Sequence, residues 1–294
     1  MNGVIVKALS GFYHVRTDRG DTVVCRGRGR LRHHRITPLV GDRVEITCQD
    51  DGTGAVDRVL PRINQFQRPM VANIQQMIIV ASGAIPVTDP FLIDRMIAVA
   101  EWKHCQPLIC FNKCDLCRMD EVAEVYRRAG FHTLQVSAET GEGMAELEAA
   151  LSEKVSAFTG NSGVGKSSIL NALRPELSLK VGEVSEKLGR GRHTTREVTI
   201  FEAFGGRIAD TPGFASLEAN RAGFIPKENL EHAFPEFGPY LGQCQFTGCS
   251  HRTEKGCAIR AALAEGKLSQ TRYDSYCAMY EEVKDVKDWQ RRGM

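Results

Sequence analysis

The chain carries the sequence Gly160-Asn161-Ser162-Gly163-Val164-Gly165-Lys166-Ser167 between a predicted strand at 154–159 and a predicted helix at 166–173. This octapeptide fits G-x-x-x-x-G-K-[ST], the pattern of a phosphate-binding loop. Its glycines allow backbone N–H groups to converge on phosphate oxygens at a helix N-terminus. We expect the octapeptide and Ser168 to bind a nucleotide, with Lys166 at the terminal phosphates and the Ser167 hydroxyl on Mg²⁺.

Two short motifs, each placed at the end of a predicted strand, indicate that the base is guanine. They are Asn112-Lys113-Cys114-Asp115 and Ser137-Ala138. The Asp115 carboxylate can accept from N1–H and the exocyclic amine of guanine, and adenine offers neither donor there. An unpaired buried carboxylate costs on the order of a few kcal/mol, so ATP is rejected. The Ala138 N–H can donate to guanine O6. Either motif alone is weak, but together with the phosphate loop they predict a GTP/GDP site.

The segment after the phosphate loop has the features of a nucleotide switch. Asp210-Thr211-Pro212-Gly213 fits D-x-x-G, in which Asp210 can hold Mg²⁺ through water and the Gly213 N–H can bind the γ-phosphate. Residues 189–195 are glycine-rich and basic and end in Thr194 and Thr195. Either threonine can complete the Mg²⁺ shell, and the sequence does not decide between them. A plain surface loop is the alternative.

Many GTPases carry a glutamine after D-x-x-G that orients the attacking water, whereas this chain has Phe214. His193 in the switch segment is the local candidate for this task, by hydrogen bonding or as a general base, although a lone loop histidine is often only solvated. The expected catalytic residues are therefore His193, Lys166, Thr194, Thr195 and Gly213. Slow intrinsic hydrolysis, accelerated by a partner, follows as an expectation.

The pattern of elements predicts a multidomain α/β protein. Five short β-branched or alternating segments at the N-terminus fit a small barrel, most simply an OB-fold. Strands and helices then alternate, which predicts a parallel sheet with helices on both faces, and 197–210 resembles a hairpin. The guanine motifs precede the phosphate loop, so the GTPase is circularly permuted. We expect an OB-fold RNA-binding domain at 1–68, a circularly permuted P-loop GTPase domain at 69–222 and a helical zinc-binding domain at 223–294.

Charge and hydropathy indicate the kind of partner. The first 70 residues carry 12 lysines and arginines against 7 acidic residues, whereas the whole chain has a net charge of only +2. A basic N-terminal module suggests a polyanionic partner. No apolar run approaches the roughly 20 residues of a membrane helix, and no signal peptide is recognisable. We expect a cytoplasmic monomer without membrane contact.

Four arginines near the start of the chain alternate with small or apolar residues: Arg26, Arg28, Arg30 and Arg32. If the stretch is extended, all four share one face. A row of guanidinium groups matches a phosphate backbone, and on an OB-fold it favours RNA over a merely solvated face.

The C-terminal part contains the pattern Cys244-x₄-Cys249-x-His251-x₅-Cys257. Three thiolates and one imidazole make a closed tetrahedral set, which is typical of a structural Zn²⁺ ion, and three incidental thiols are the alternative. A helix predicted at 273–292 mixes both charge signs. It could pack on this module or contact RNA.

Taken together, these motifs resemble the circularly permuted, ribosome-small-subunit-dependent GTPase A (RsgA) family over nearly the whole chain. The resemblance rests on the basic barrel with Cys25-Arg26-Gly27-Arg28-Gly29-Arg30 and Gly41-Asp42-Arg43-Val44, on G-N-S-G-V-G-K-S-S at 160–168, on G-R-H-T-T at 191–195, on D-T-P-G-F at 210–214 and on the Cys/His cluster. It implies a protein that binds the small ribosomal subunit and its rRNA late in maturation and hydrolyses GTP to time its release. It also supports zinc at the cluster and His193 in hydrolysis. Arg196 stands where a third threonine is expected, so the choice between Thr194 and Thr195 stays open.

Three other functions fit parts of the sequence. The first is a GTPase switch that acts on another RNA or protein partner. The second is an RNA-binding module with a vestigial GTPase, against which Lys166, Ser167 and Asp210 argue. The third is a P-loop ATPase or kinase, which Asp115 disfavours.

Overall fold

The computed structural model describes residues 1–33, 36–67, 69–174, 198–210 and 224–286. Among these residues, no helix has both the length and the apolar composition to cross a lipid bilayer. The described elements form an N-terminal barrel, a central sheet with helices on both faces, and a small helical C-terminal module.

Five strands form the N-terminal barrel: β1 (Asn2–Leu9), β2 (Phe12–Thr17), β3 (Thr22–Gly27), β4 (Arg43–Cys48) and β5 (Thr53–Val59). They pair in the order β1-β2-β3-β5-β4, and β4 pairs back with β1, which closes the barrel. The alternating apolar residues point inward, and Ile5, Val15, Cys25, Val44 and Val56 are fully buried. The predicted OB-fold barrel is confirmed.

The prediction of one extended stretch carrying four arginines was wrong. The strand ends at Gly27, and Gly29–His33 forms a short helix, α1. The physical reason is Leu31, whose side chain is buried in the barrel core and is brought there by one helical turn. Arg26 instead stacks 4.5 Å above the Phe12 ring, and Arg28 forms an ion pair with Asp57.

The central sheet contains β8 (Gln76–Ser82), β9 (Gln106–Asn112), β10 (His132–Gln135), β11 (Val155–Thr159), β12 (Thr199–Ala203) and β13 (Gly206–Asp210). Their order is β10-β9-β8-β11-β13-β12, and every neighbouring pair is parallel except β12 and β13. That last pair is the predicted hairpin.

Four helices cover the sheet: α2 (Pro90–Trp102), α3 (Asp120–Arg128), α4 (Met144–Leu151) and α5 (Lys166–Leu173). Because side chains alternate along a strand, β8 contributes Met77 and Ile79 to one apolar cluster and Ile78 and Val80 to another. The first cluster includes residues of α2 and α3, and the second includes residues of α4 and α5. The predicted arrangement, with helices on both faces, is confirmed.

The barrel is continuous with the central sheet, because β1 pairs with β12 at Lys7 and Thr199. A two-stranded linker, β6 (Gln65–Gln67) and β7 (Met70–Ala72), lies between them in the chain. The buried carboxylate of Asp42 receives two hydrogen bonds of 2.7 Å from the Arg62 guanidinium and one from the Leu39 N–H. The barrel is thus joined to the central sheet by the β1–β12 pairing and to the linker by the Asp42–Arg62 ion pair.

The C-terminal module contains three α-helices and two 3₁₀ helices: α6 (Lys227–Leu230), Glu231–Ala233, Pro235–Tyr240, α7 (Ala258–Ala264) and α8 (Gln270–Val283). The helix predicted at 273–292 therefore begins three residues earlier and ends at Val283. Since Tyr280 and Val283 are the last of its residues that pack on the module's apolar cluster, tertiary support for the helix stops there. Residues 287–294 lie outside the described part of the chain.

A buried ion cluster attaches this module to the central domain. The Arg272 guanidinium on α8 donates to Asp94 of α2 at 2.8 Å and to both oxygens of Glu236 at 2.7 and 3.0 Å. All three side chains are buried. Burial raises the pKa of the Asp94 carboxyl, and the opposing charge of Arg272 only partly offsets this. The cluster holds the C-terminal module on the central domain, because each buried charge is neutralised only by its partners across that contact.

We predict that Arg272→Met destabilises the folded protein by about 3–5 kcal/mol, because it leaves two buried carboxylates without their cation. A carboxyl with a raised pKa in the folded state favours folding when protonated. The decrease in the free energy of unfolding is therefore larger at pH 8 than at pH 5, as calorimetric unfolding at both values would show. The matched control is Arg95→Met on α2, whose partner Glu282 on α8 is half-exposed, with an expected cost of about 1 kcal/mol or less. Equal losses of unfolding free energy in the two variants would contradict the stabilising role of the buried Arg272 cluster.

Candidate functional site

Three loops meet at one edge of the central sheet. The phosphate loop connects β11 to α5, the Asn112-Lys113-Cys114-Asp115 motif ends β9, and Ser137-Ala138 follows β10. Because these strands are parallel, their carboxyl ends open at the same edge, where ligands bind in open α/β sheets. The fold thus brings together motifs that are far apart in the chain.

The backbone of the phosphate loop has a shape that requires glycine. Gly160, Gly163 and Gly165 have φ values of 131°, 82° and 97°, which side chains strongly disfavour. A Cβ on Gly160 would lie 2.1 Å from the Val80 carbonyl oxygen. The Lys166 ammonium donates to the carbonyl oxygens of Gly160 and Asn161, which places it across the loop. This position agrees with its predicted contact with terminal phosphates.

The Asn112 side chain connects two of the three loops to its own. Its Nδ2 donates to the Val164 carbonyl oxygen at 2.8 Å, and its Oδ1 accepts from the Ala138 N–H at 3.2 Å. The residue is only 3% exposed. A Cβ on Gly165 would lie 2.2 Å from Asn112 Nδ2, so a glycine is also required there for this close approach.

The two guanine motifs differ in how accessible their hydrogen-bonding groups are to a bound base. The Asp115 side chain is exposed at the edge, so it is free to receive a base. The Ala138 N–H, predicted to donate to guanine O6, already donates to Asn112, so a base oxygen would share that donor. Ser137 is buried, and its hydroxyl accepts from the Thr140 N–H at 3.1 Å. Ser137 therefore shapes the turn that presents Ala138.

Side-chain and backbone hydrogen bonds that no motif predicts join the loop after β9 to the loop after β10. The Arg118 guanidinium donates to the Glu142 carboxylate at 2.7 Å, and the Glu142 carbonyl oxygen accepts from the Ser137 N–H. The Lys113 ammonium donates to the Ile85 carbonyl oxygen at 2.7 Å. The two side-chain contacts, Arg118 to Glu142 and Lys113 to Ile85, follow no motif, because each joins residues more than twenty positions apart.

The predicted switch residues cannot be placed in the same way. His193, Thr194, Thr195, Phe214 and Gly213 lie outside the described residues. Asp210 ends β13, beside β11 and therefore beside the phosphate loop, but its side chain also lies outside the description. Their roles remain predictions.

The four predicted metal ligands lie together in the C-terminal module. The ligand atoms of Cys244, Cys249, His251 and Cys257 are all within 4.8 Å of one another. His251 Nδ1 is 3.5 Å from Cys244 Sγ and 3.4 Å from Cys257 Sγ, and these two sulfurs are 3.9 Å apart. The group can hold a metal ion. Burial raises the pKa of Cys249 to about 12, so a nearby cation is needed to keep a thiolate there.

Residues around the cluster fix the orientation of the imidazole. His251 Nε2 lies 2.7 Å from a Glu231 carboxylate oxygen, and the Tyr273 hydroxyl donates to the His251 carbonyl oxygen at 2.8 Å. The rings of Phe237 and Tyr276 pack beside it. A carboxylate at Nε2 selects the tautomer whose unprotonated Nδ1 faces the sulfurs.

Comparison with known proteins agrees with this architecture. The sequence model of the RsgA GTPase family matches residues 59–220, and that of the RsgA N-terminal domain matches residues 2–56. Two relatives named small ribosomal subunit biogenesis GTPase RsgA cover 97% of the chain. One, from Caldanaerobacter subterraneus subsp. tengcongensis, is 45% identical with 96% of its own length covered. The other, from Geobacillus kaustophilus, is 44% identical with 98% covered.

Two solved structures are similar over 97% of this chain. YjeQ from Thermotoga maritima superimposes with a TM-score of 0.83 at 34% identity, covering 99% of that chain. YloQ, described as a circularly permuted GTPase, gives a TM-score of 0.81 at 36% identity, covering 96% of that chain. The permuted order of motifs, the closed barrel and the matches over nearly the whole length lead to one conclusion: the chain belongs to the RsgA GTPase family and is an enzyme that hydrolyses GTP.

Proposed function

We propose that this GTPase binds the small ribosomal subunit and acts in its late maturation, hydrolysing GTP to GDP and phosphate to time its release. The observation that carries the proposal is similarity over nearly the whole length, barrel and C-terminal module included, to relatives named for small ribosomal subunit biogenesis. Such a function fits a cytoplasmic monomer. The GTP-bound form would favour the subunit, and GDP would allow release.

The nucleotide would lie across the three loops at the sheet edge. Asp115 would accept from the guanine ring, and Ala138 would donate to O6. The N–H groups of 160–168 and the Lys166 ammonium would hold the phosphates, as the geometry of the loop supports. Asn112 would keep the base and phosphate loops at a fixed distance.

Hydrolysis requires water to attack the γ-phosphorus in line with the bridging oxygen. A bond forms from the water oxygen to phosphorus, the bond to the bridging oxygen breaks with its electron pair staying on GDP, and one proton of the water passes to the phosphate oxygens or to solvent. We assign His193 to orienting this water and the Gly213 N–H to the γ-phosphate, with Thr194 or Thr195 completing the Mg²⁺ shell begun by Ser167 and Asp210. Mg²⁺, when bound, neutralises charge that develops on the phosphate oxygens.

The barrel is the part best suited to ribosomal RNA. Phe12 is 37% exposed, and the Arg26 guanidinium lies 4.5 Å from its ring centroid. An exposed aromatic ring beside a cation can stack on a base while the cation faces the phosphate backbone. Arg19 is a further exposed cation on the barrel, whereas Arg43 and Arg58 are exposed but paired with Asp18 and Glu45.

We predict that small ribosomal subunits raise GTP turnover by at least tenfold, which corresponds to about 1.4 kcal/mol of barrier lowering, and that large subunits do not. Phosphate release by the purified protein would be measured alone and with each subunit. His193→Ala should abolish the stimulation while GDP affinity stays unchanged. Equal turnover with and without small subunits would contradict the proposal and favour a switch that acts on another RNA or protein.

We also propose that the Cys/His group holds one structural Zn²⁺. Zinc with bonds of about 2.3 Å to sulfur and about 2.0–2.1 Å to nitrogen requires tetrahedral S–S distances of about 3.8 Å and S–N distances of about 3.5 Å. The observed values of 3.9, 3.5 and 3.4 Å fit. Four protein ligands leave no open position, so the ion would stabilise the loop and take no part in the chemistry.

We predict one Zn²⁺ per chain in the purified protein, measured by plasma mass spectrometry, and its loss in Cys249→Ser. Without the ion the segment 244–257 should unfold, because few apolar contacts hold it, and near-ultraviolet dichroism should report this through Tyr273 and Tyr276. The control Cys48→Ser removes an exposed thiol outside the cluster and should keep the metal. Full zinc content in Cys249→Ser would contradict the assignment.

A further inference from the structure

The loop between β8 and α2 is fixed at its base by hydrogen bonds to Ser82. The Ser82 N–H donates to the Thr88 hydroxyl at 3.0 Å, and the Thr88 N–H donates to the Ser82 carbonyl oxygen at 2.9 Å. The Ser82 hydroxyl donates to the Ala84 carbonyl oxygen at 2.9 Å. Both Ser82 and Thr88 are buried. Residues 85–87 therefore form a tip held at a defined place at the ligand edge of the sheet.

This tip contacts two of the nucleotide loops at once. The Ile85 carbonyl oxygen accepts from the ammonium of Lys113, in the guanine motif. The Pro86 ring lies against Gly163, in the phosphate loop: a Cβ on Gly163 would be 3.1 Å from both Cγ and Cδ of the ring. A single dipeptide thus touches the part of the site predicted for the base and the part predicted for the phosphates.

Burial of apolar surface does not explain these residues. Ile85 is 87% exposed, Val87 is 61% exposed, and Pro86 is also exposed. What proline supplies here is conformational restriction. It fixes its own φ, which limits the conformations open to the chain beside the Ile85 carbonyl group. Restricting the chain at this point keeps the Ile85 carbonyl oxygen in place as the acceptor for the Lys113 ammonium, because that carbonyl is the group that holds it.

We propose that Ile85-Pro86 is a brace that sets the separation of Lys113 and Gly163, and that Pro86 is a positioning residue for nucleotide binding. It acts through the two loops it touches and takes no part in the hydrolytic step. Loops held in the bound geometry lose less entropy on binding, so the brace increases affinity for GDP and GTP alike. The inference rests on the nucleotide site proposed above.

The test compares Pro86→Ala with the neighbouring control Val87→Ala. Pro86→Ala should raise the Kd for GDP, measured by titration calorimetry, by about threefold to tenfold, mainly through faster dissociation. The KM for GTP should rise by more than turnover at saturating GTP falls, since Pro86 touches the loops and not the reacting atoms. Val87→Ala should change neither quantity. Unchanged GDP affinity in Pro86→Ala would overturn the proposal.

A second comparison separates positioning from simple support of the fold. Gly163→Ala puts a methyl group against the Pro86 ring and weakens binding. In the Pro86→Ala background part of this clash is relieved, so the combined loss in affinity should be smaller than the product of the single losses. Multiplicative losses, or an affinity loss that only follows a lower thermal midpoint, would contradict the brace.

Lys166→Ala distinguishes failure of the brace from failure of the site itself. If Lys166→Ala loses GDP binding while Pro86→Ala keeps it, only the brace is wrong. If Lys166→Ala binds GDP as wild type does, the proposed nucleotide site is wrong as well.

Discussion

The nucleotide site depends on one buried amide. Asn112 donates to the phosphate loop through Val164 and accepts from the loop that ends β10 through Ala138. Because the side chain is shielded from water, replacing it would leave the buried Val164 carbonyl oxygen without its donor, which costs about 1–3 kcal/mol, and the partly buried Ala138 N–H without its acceptor. The requirement for glycine at position 165 follows from the same contact, since no Cβ fits beside Asn112. A circular permutation can move the chain termini without disturbing this contact.

The permutation explains how the other domains attach to this centre. The strand β12, which follows the switch segment in sequence, pairs with β1 of the barrel. The helix α2, which follows the loop containing Pro86, is bound to the C-terminal module by the Asp94–Arg272 ion pair. Barrel and C-terminal module therefore each contact an element that leads directly to the nucleotide site.

Local motifs could be predicted because their spacing alone sets their geometry. The octapeptide from Gly160 to Ser167 and the cluster from Cys244 to Cys257 fall into this class, and so does the alternation that produced the barrel. The turn at Gly29–His33 could not be predicted, because burial of Leu31 in the barrel decides it. The hydrogen bonds from Asn112 to Val164 and from Lys113 to Ile85 join residues that are far apart in the sequence, so no local pattern predicts them. The roles of His193 and its neighbours remain predictions from sequence.

The central claim is that three loops joined by Asn112 form one guanine nucleotide site, and its most direct test is calorimetric titration of wild type and Asn112→Ala with GDP and with ADP. Wild type should bind GDP and show no measurable ADP binding. Asn112→Ala should lose at least tenfold in GDP affinity, about 1.4 kcal/mol. ADP binding as tight as GDP binding, or wild-type GDP affinity in Asn112→Ala, would contradict a single site joined by Asn112.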